Sequence, residues 1–243
     1  MRGTWEALLF VLLLSAGLVG CGTRRITVPI MPPLMPIPKA AIPWEDAFET
    51  LDPQRWAEKE VHGYTDYDIV ALDGRRCLKA HSHGGASILL TPVRFDPRTY
   101  PWLSWKWRVD RLVDGEALEH KRGSDAAARV YVYFESKGLP WQKRNLDYVW
   151  SSALPVGTLL TSAFSSESKI IVAQSGADGL GRWRIMERNL RDDYQRAFGG
   201  QPPDVIAIGI MSDTDNTNGE TLAYFDDLQV SRTPLASSLE AAP

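Results

Sequence analysis

The chain of 243 residues has only two cysteines, Cys21 and Cys77, and that scarcity excludes a disulfide framework. Charge of one sign is also scarce: 27 Lys and Arg against 30 Asp and Glu leave a formal charge of −3. Without a basic excess there is no electrostatic footprint for nucleic acid, so that class of partner is excluded. No apolar run reaches the roughly 20 residues of a spanning helix; the longest, Ala7–Gly20, has fourteen. Strands alternating with helices are missing, and so is any internal repeat. There is no Gly-x-Ser-x-Gly elbow, no phosphate-cradling glycine loop and no Glu-x-Asp-x-x-Glu strand motif. These gaps lean against an enzyme but leave the matter open, because sites assemble from residues distant in sequence.

What is present begins at the amino end. Ala7–Gly20 follows Arg2 and ends in small residues, the build of a secretory signal core. The closing Leu18-Val19-Gly20-Cys21 resembles the lipobox of bacterial lipoproteins. That resemblance implies cleavage after residue 20, lipidation of Cys21 and anchoring in a membrane, each buried methylene adding about 0.8 kcal/mol. Gly22, where Asp would signal inner-membrane retention, implies an outer-membrane lipoprotein facing the periplasm. A lipidated Cys21 cannot pair with Cys77, so Cys77 is expected to be a buried lone thiol.

Residues 22–43 contain six prolines. That density precludes helix and sheet and favours extended chain, either a spacer or a disordered leader. The expected organisation is a signal over 1–20, the lipidated cysteine and tether over 21–43, one folded domain over 44–232 and a disordered tail over 233–243.

Within the domain the period is two. Leu103, Trp105, Trp107 and Val109 alternate with Ser104, Lys106, Arg108 and Asp110, and Val130, Val132 and Phe134 with Arg129, Tyr131, Tyr133 and Glu135. Residues 67–72, 88–95, 169–173, 183–187, 205–211 and 222–230 are further strand candidates. Asp73-Gly74, Gly84-Gly85, Asp96-Pro97, Asp114-Gly115 and Asp178-Gly179 mark turns between them. Only residues 189–198 read as a helix, closed by Gly199-Gly200. The expectation is an all-β antiparallel sandwich, jelly-roll-like, with that one short helix.

The opening stretch over 44–56 and the closing Ala223-Tyr224-Phe225-Asp226-Asp227-Leu228-Gln229-Val230 are similar to the end strands of jelly-roll glycan-binding and glycan-cleaving proteins. In that group the terminal strands pair and a structural Ca²⁺ sits near them in some members. No other cofactor is called for. Over nearly the whole domain the chain resembles the bacterial domain of unknown function 3047 family. The resemblance is carried by Trp105-Lys106-Trp107-Arg108-Val109-Asp110, the 125–132 stretch, Asn145-Leu146-Asp147-Tyr148-Val149-Trp150 and the 210–217 stretch. It implies an exported β protein and no chemistry.

Two constellations are candidate sites. The loop Asp213-Thr214-Asp215-Asn216-Thr217-Asn218-Gly219-Glu220 concentrates oxygen ligands, with carboxylates at i and i+2. A hard cation, a sugar hydroxyl network and a polar turn are all compatible with it. An EF-hand is not, because Tyr224 occupies the required glutamate position. The second constellation is the polar set Lys106, Arg108, Arg129, Tyr131, Tyr133 and Glu135, which shares one sheet surface if its strands are neighbours, with Tyr148 and Trp150 joining it. Such a face stacks on sugar rings or offers an arginine fork to an acidic glycan; the plain alternative is core aromatics and a solvated charged face. Cys77, His81 and His83 share a strand face too extended to converge on a metal, so no metal site is assigned.

The leading expectation is a lipid-anchored envelope β-sandwich that binds a glycan through Arg108, Arg129, Tyr131, Tyr133, Tyr148, Trp150, Asp213, Asp215 and Asn216. A polysaccharide-active enzyme using Asp213 with Asp215, or Glu135 with Asp147, is the alternative. A structural lipoprotein holding a protein partner is the third.

Overall fold

The computed structural model describes residues 44–135 and 143–235. The signal, Cys21, the tether and most of the tail therefore lie outside the described residues. Thirteen strands form in chain order: β1 (Trp44–Asp46), β2 (Ala57–His62), β3 (Asp66–Leu72), β4 (Arg75–His83), β5 (Ala86–Phe95), β6 (Trp102–Arg111), β7 (Ala128–Phe134), β8 (Asn145–Ser151), β9 (Leu159–Ser162), β10 (Ser165–Ser175), β11 (Arg184–Asn189), β12 (Val205–Asp213) and β13 (Glu220–Ser231). The helix α1 (Leu190–Phe198) sits between β11 and β12.

They make two sheets. One runs β11-β6-β13-β4-β3, with β1 also paired to β13; the other runs β2-β5-β12-β7-β8-β10-β9. The terminal strands do pair, Trp44 opposite Val230 and Asp46 opposite Leu228. Beside that pair, the Asp46 carboxylate accepts the Trp56 indole N–H at 2.9 Å and the Phe48 amide at 2.9 Å. Pairing is antiparallel except for β10 on β8, which is parallel. The chain leaves β8, makes the outermost strand β9 and turns back through Phe164, so β10 arrives running the same way as β8.

The period-two alternation supplies the core. Leu103, Trp105, Trp107 and Val109 of β6 are fully buried, and so are Val130, Val132 and Phe134 of β7. Trp105 meets Trp107 edge-on with ring centroids 5.3 Å apart. Full burial of such side chains removes about 1.5–3 kcal/mol of apolar exposure each. β2, Ala-Glu-Lys-Glu-Val-His, has no apolar alternation because it is an edge strand whose charges discourage further pairing. The helix begins where Asn189 caps it, its side chain accepting the Arg191 and Asp192 amides, and stops at Gly199, whose φ of 75° lies in the left-handed region. Cys77 is fully buried and burial pushes its thiol up to about 11.

Candidate functional site

The outer face of the seven-stranded sheet forms a groove of about 690 Å³, within the range of small-ligand clefts. Its floor follows from register. Leu90 lies opposite Gly209 and Gly209 opposite Tyr131, while Ile88, Met211 and Arg129 form the adjacent row. Gly209 holds the floor open: a Cβ there would come within 2.8 Å of Ile88 Cδ1 and 3.1 Å of Leu90 Cδ2. Tyr131 and Tyr133, two residues apart on one face of β7, stack with centroids 5.8 Å apart and planes 21° apart. Val61 on β2 and Phe164 in the β9–β10 turn line the groove as large apolar side chains 59% and 58% exposed.

One end of the groove is polar and buried. Arg129, 3% exposed, donates from Nε to Asp213 at 2.7 Å, from Nη1 to Asp147 at 2.5 Å and from Nη2 to the Ser124 carbonyl at 2.6 Å. All three guanidinium nitrogens are thus engaged within the protein. The loop after β12 is anchored by Asp125, whose carboxylate accepts the Asn216 amide at 3.2 Å and the Thr217 amide at 2.7 Å. One guanidinium therefore sits among four carboxylates, those of Asp125, Asp147, Asp213 and Asp215. Burial raises the Asp213 carboxyl to about 7 against the pull of Arg129. Burial also raises Asp147, and burial with the neighbouring Asp125 raises Asp215.

Asp147 is 2% exposed, lines the groove, and its Oδ1 has no hydrogen-bond partner among the described residues. Carboxylate oxygens of Asp125, Asp213 and Asp215 lie within 4.8 Å of one another, a donor set of the type a hard cation uses. Those of Asp125 and Asp213 already accept protein N–H groups, including Ala126 N–H on Asp213 at 3.0 Å.

Of the residues expected from sequence, Arg129, Tyr131, Tyr133, Asp213, Asp215 and Asn216 meet in this groove. Three do not. Arg108 lies on β6, in the other sheet, because the 112–127 connection carries the chain across the sandwich instead of turning a hairpin. There it pairs with Asp110 at 2.6 Å and Asp73 at 2.8 Å, with its guanidinium over the Tyr224 ring. Tyr148 and Trp150 point into the core, fully buried, with Tyr148 5.4 Å from Trp105 and Trp150 5.9 Å from Trp107. On β8 the face they share is that of Leu146, and the groove face belongs to Asp147. The alternation of Asn145 and Asp147 with Leu146, Tyr148 and Trp150 carries that signal, since unpaired carboxylates are costly in an apolar core.

Of the two expected acid pairs, Asp213 and Asp215 do come together, within 4.8 Å, whereas Glu135 bonds Arg94 at 2.7 Å and Asp147 shares Arg129 with Asp213. His81 bonds Glu220 at 2.8 Å. Sequence reasoning missed Asp125, Gly209 and Phe164 as site residues, and placed Asp147 only in an acid pair with Glu135. Asp125 and Gly209 act through contacts with distant strands, and a lone aromatic in a serine-rich turn has no local signature.

A two-sheet β-sandwich with a groove on one outer face is the class of protein this architecture defines. The chain belongs to the family described as protein of unknown function (DUF3047), whose model matches residues 54–229. No curated protein matches it. Among solved structures it is similar to the family 11 carbohydrate-binding module of cellulosomal cellulase Lic26A-Cel5E of Clostridium thermocellum, at 10% identity and a TM-score of 0.41, covering 78% of this chain and 95% of that one. It is also similar to the family 30 carbohydrate-binding module of cellulosomal cellulase Cel9D-Cel44B of the same organism, at 12% identity and a TM-score of 0.40, covering 78% and 91%. A third is the CBM22-1 xylan-binding domain of Paenibacillus barcinonensis Xyn10C, at 12% identity and a TM-score of 0.39, covering 77% and 92%. At these identities the likeness concerns architecture alone.

Proposed function

We propose that this protein is a glycan-binding module of the bacterial envelope, and that the groove on the seven-stranded sheet is its binding site. The observation that carries the reading is the joining of an apolar and aromatic floor to a buried cluster of hydrogen-bonding groups in one open groove. A sugar ring has the matching pair of surfaces, C–H faces that pack on aromatic rings and hydroxyl edges that need polar partners. Val61 and Phe164 give the ring walls, and Asp147, Asp215 and Asn216 face its edge. Retention of the purified chain on a glycan array, lost on Tyr133→Ala with the fold intact, tests this. A chain that binds no glycan on the array contradicts it.

The envelope location rests on sequence: the Ala7–Gly20 core and Cys21 would deliver a lipid-anchored protein, and the six prolines of 22–43 would space the domain from the membrane. Cys21→Ser then abolishes acyl labelling and frees the protein from membranes; retention in the membrane refutes the anchor. One observation favours a second reading, catalysis on a polysaccharide: Asp213 lines the groove and, raised to about 7, holds a proton near neutral pH as a general acid does. Sugar release abolished by Asp213→Asn would establish it; release that the substitution leaves unchanged would remove it.

A further inference from the structure

Resting on the glycan reading of the groove, we infer that its polar end is a hydroxyl-reading subsite which admits neutral sugars and rejects carboxylated ones, with Asp147 and Tyr131 as the discriminating pair. An arginine in a carbohydrate groove suggests an acidic ligand, but here the guanidinium is 3% exposed and three of its five N–H groups are already engaged within the protein. Its Nε, Nη1 and Nη2 are taken by Asp213, Asp147 and the Ser124 carbonyl. A ligand carboxylate arriving at this end would meet a guanidinium whose every nitrogen already serves a protein acceptor, and Asp147, Asp213 and Asp215 would repel it. Lys59 and Lys143, further cations of the groove, stand apart. Lys59 is three strand spacings from Arg129 through Ile88 and Met211, roughly 14 Å across the sheet, and Lys143 is four residues before Asp147, roughly 13 Å along the backbone.

What this end lacks is a donor. Asp147 Oδ1 is buried and without a partner among the described residues, a condition that native structures rarely leave uncorrected. Tyr131, directly opposite Asp147 in register, is near enough for its hydroxyl to offset part of the burial that raises the Asp147 carboxyl, but the hydroxyl itself is directed at the weakly accepting sulfur of Met211 at 3.8 Å. The pair therefore offers one strong acceptor and one poorly used donor. A sugar hydroxyl satisfies both at once, donating to Asp147 Oδ1 and accepting from Tyr131. A carboxylate has no proton for Asp147 and leaves that oxygen unpaired beside a second negative charge. Arg129 fixes the orientation of Asp147, so a ligand has to uncover Oδ1 but not to turn the carboxylate.

The test is equilibrium binding of the detergent-solubilised full chain to dextran, hydroxyethyl cellulose and curdlan, each beside its carboxymethylated derivative. Salt at about 0.3 M suppresses loose attraction between polyanions and exposed lysines. The expected result is binding of at least one neutral polymer and at least tenfold weaker binding of its carboxymethylated partner. Asp147→Asn alters the proposed contact but also disturbs Arg129, so Tyr131→Phe, which keeps the stacked ring, carries the mutational arm. It should weaken neutral binding about tenfold, the effect of one lost hydrogen bond in a charged network. A carboxymethylated polymer bound as tightly as its parent, or an unchanged Tyr131→Phe variant, overturns this inference and leaves the glycan reading standing. Failure of every polymer to bind overturns both.

Discussion

Replacing Arg129 by Met examines the buried cluster from its centre. The side chain is 3% exposed and is the partner of two carboxylates, Asp147 and Asp213, each no more than 4% exposed. Methionine keeps much of the volume but removes every donor, leaving two buried carboxylates and the Ser124 carbonyl without their partner. Breaking a buried pair in this way costs about 3–5 kcal/mol, a large share of the roughly 5–15 kcal/mol that holds a domain together. The loss should also depend on pH in a defined direction. Asp213 already titrates at about 7 with the guanidinium beside it. Without Arg129 its pKa and that of Asp147 rise further, so at lower pH the orphaned carboxyls take up protons and the penalty shrinks. The reduction is about 1.4 kcal/mol per pH unit for each carboxyl that protonates in the variant and not in the wild type. Urea unfolding of both proteins at pH 8 and pH 6 measures this. A loss below about 1 kcal/mol at pH 8, or an equal loss at both pH values, would refute the reasoning about this cluster.

Wild-type stability should itself fall as pH rises from about 4 toward 7, because the folded state holds the Asp213 proton over that window and the unfolded state has released it; the contribution reaches about 1.4 kcal/mol per pH unit. Asp213→Asn should flatten that slope in urea titrations, and an unchanged slope would assign it to other groups. Asn189→Ala should cost about 1 kcal/mol by freeing the Arg191 and Asp192 amides, with the loss read as a lower urea midpoint. Cys77, fully buried with its thiol raised to about 11, should resist alkylation in the native protein and react at once in denaturant; rapid native labelling would contradict that burial.

Much of the sandwich is legible in the chain because a half-buried strand writes its two faces as alternating residues. Leu103, Trp105, Trp107 and Val109 announce both a strand and its inward face, and Asn189 with Gly199 brackets the helix. Sheet membership is not written this way. Arg108 and Arg129 both alternate with apolar neighbours, yet they lie on opposite outer faces of the sandwich, since only the path of the 112–127 connection decides which sheet receives β7. Tyr148 and Trp150 show a second limit: an aromatic residue suits either a core or a binding face, and its neighbour Asp147 is what fixes the parity of β8. The parallel arrival of β10 is equally hidden, because a lone pairing direction leaves no mark on composition. The polar end of the groove was half visible. Asp213, Asp215 and Asn216 stand together in one loop, whereas Asp125 and Asp147 join them only through pairing across β12, β7 and β8.

The central claim is that glycan binds on the outer face of the seven-stranded sheet. The most direct measurement compares glycan binding by Gly209→Val and by the double variant Arg108→Ala, Tyr224→Ala. The valine fills the floor between Leu90 and Tyr131 by displacing the flexible ends of Ile88 and Leu90, whereas the paired alanines strip the cation–aromatic contact from the opposite sheet. With both variants folded, the account predicts that Gly209→Val loses binding and that the double variant retains it. Binding that survives Gly209→Val and disappears in the double variant would place the site on the other sheet and contradict the account.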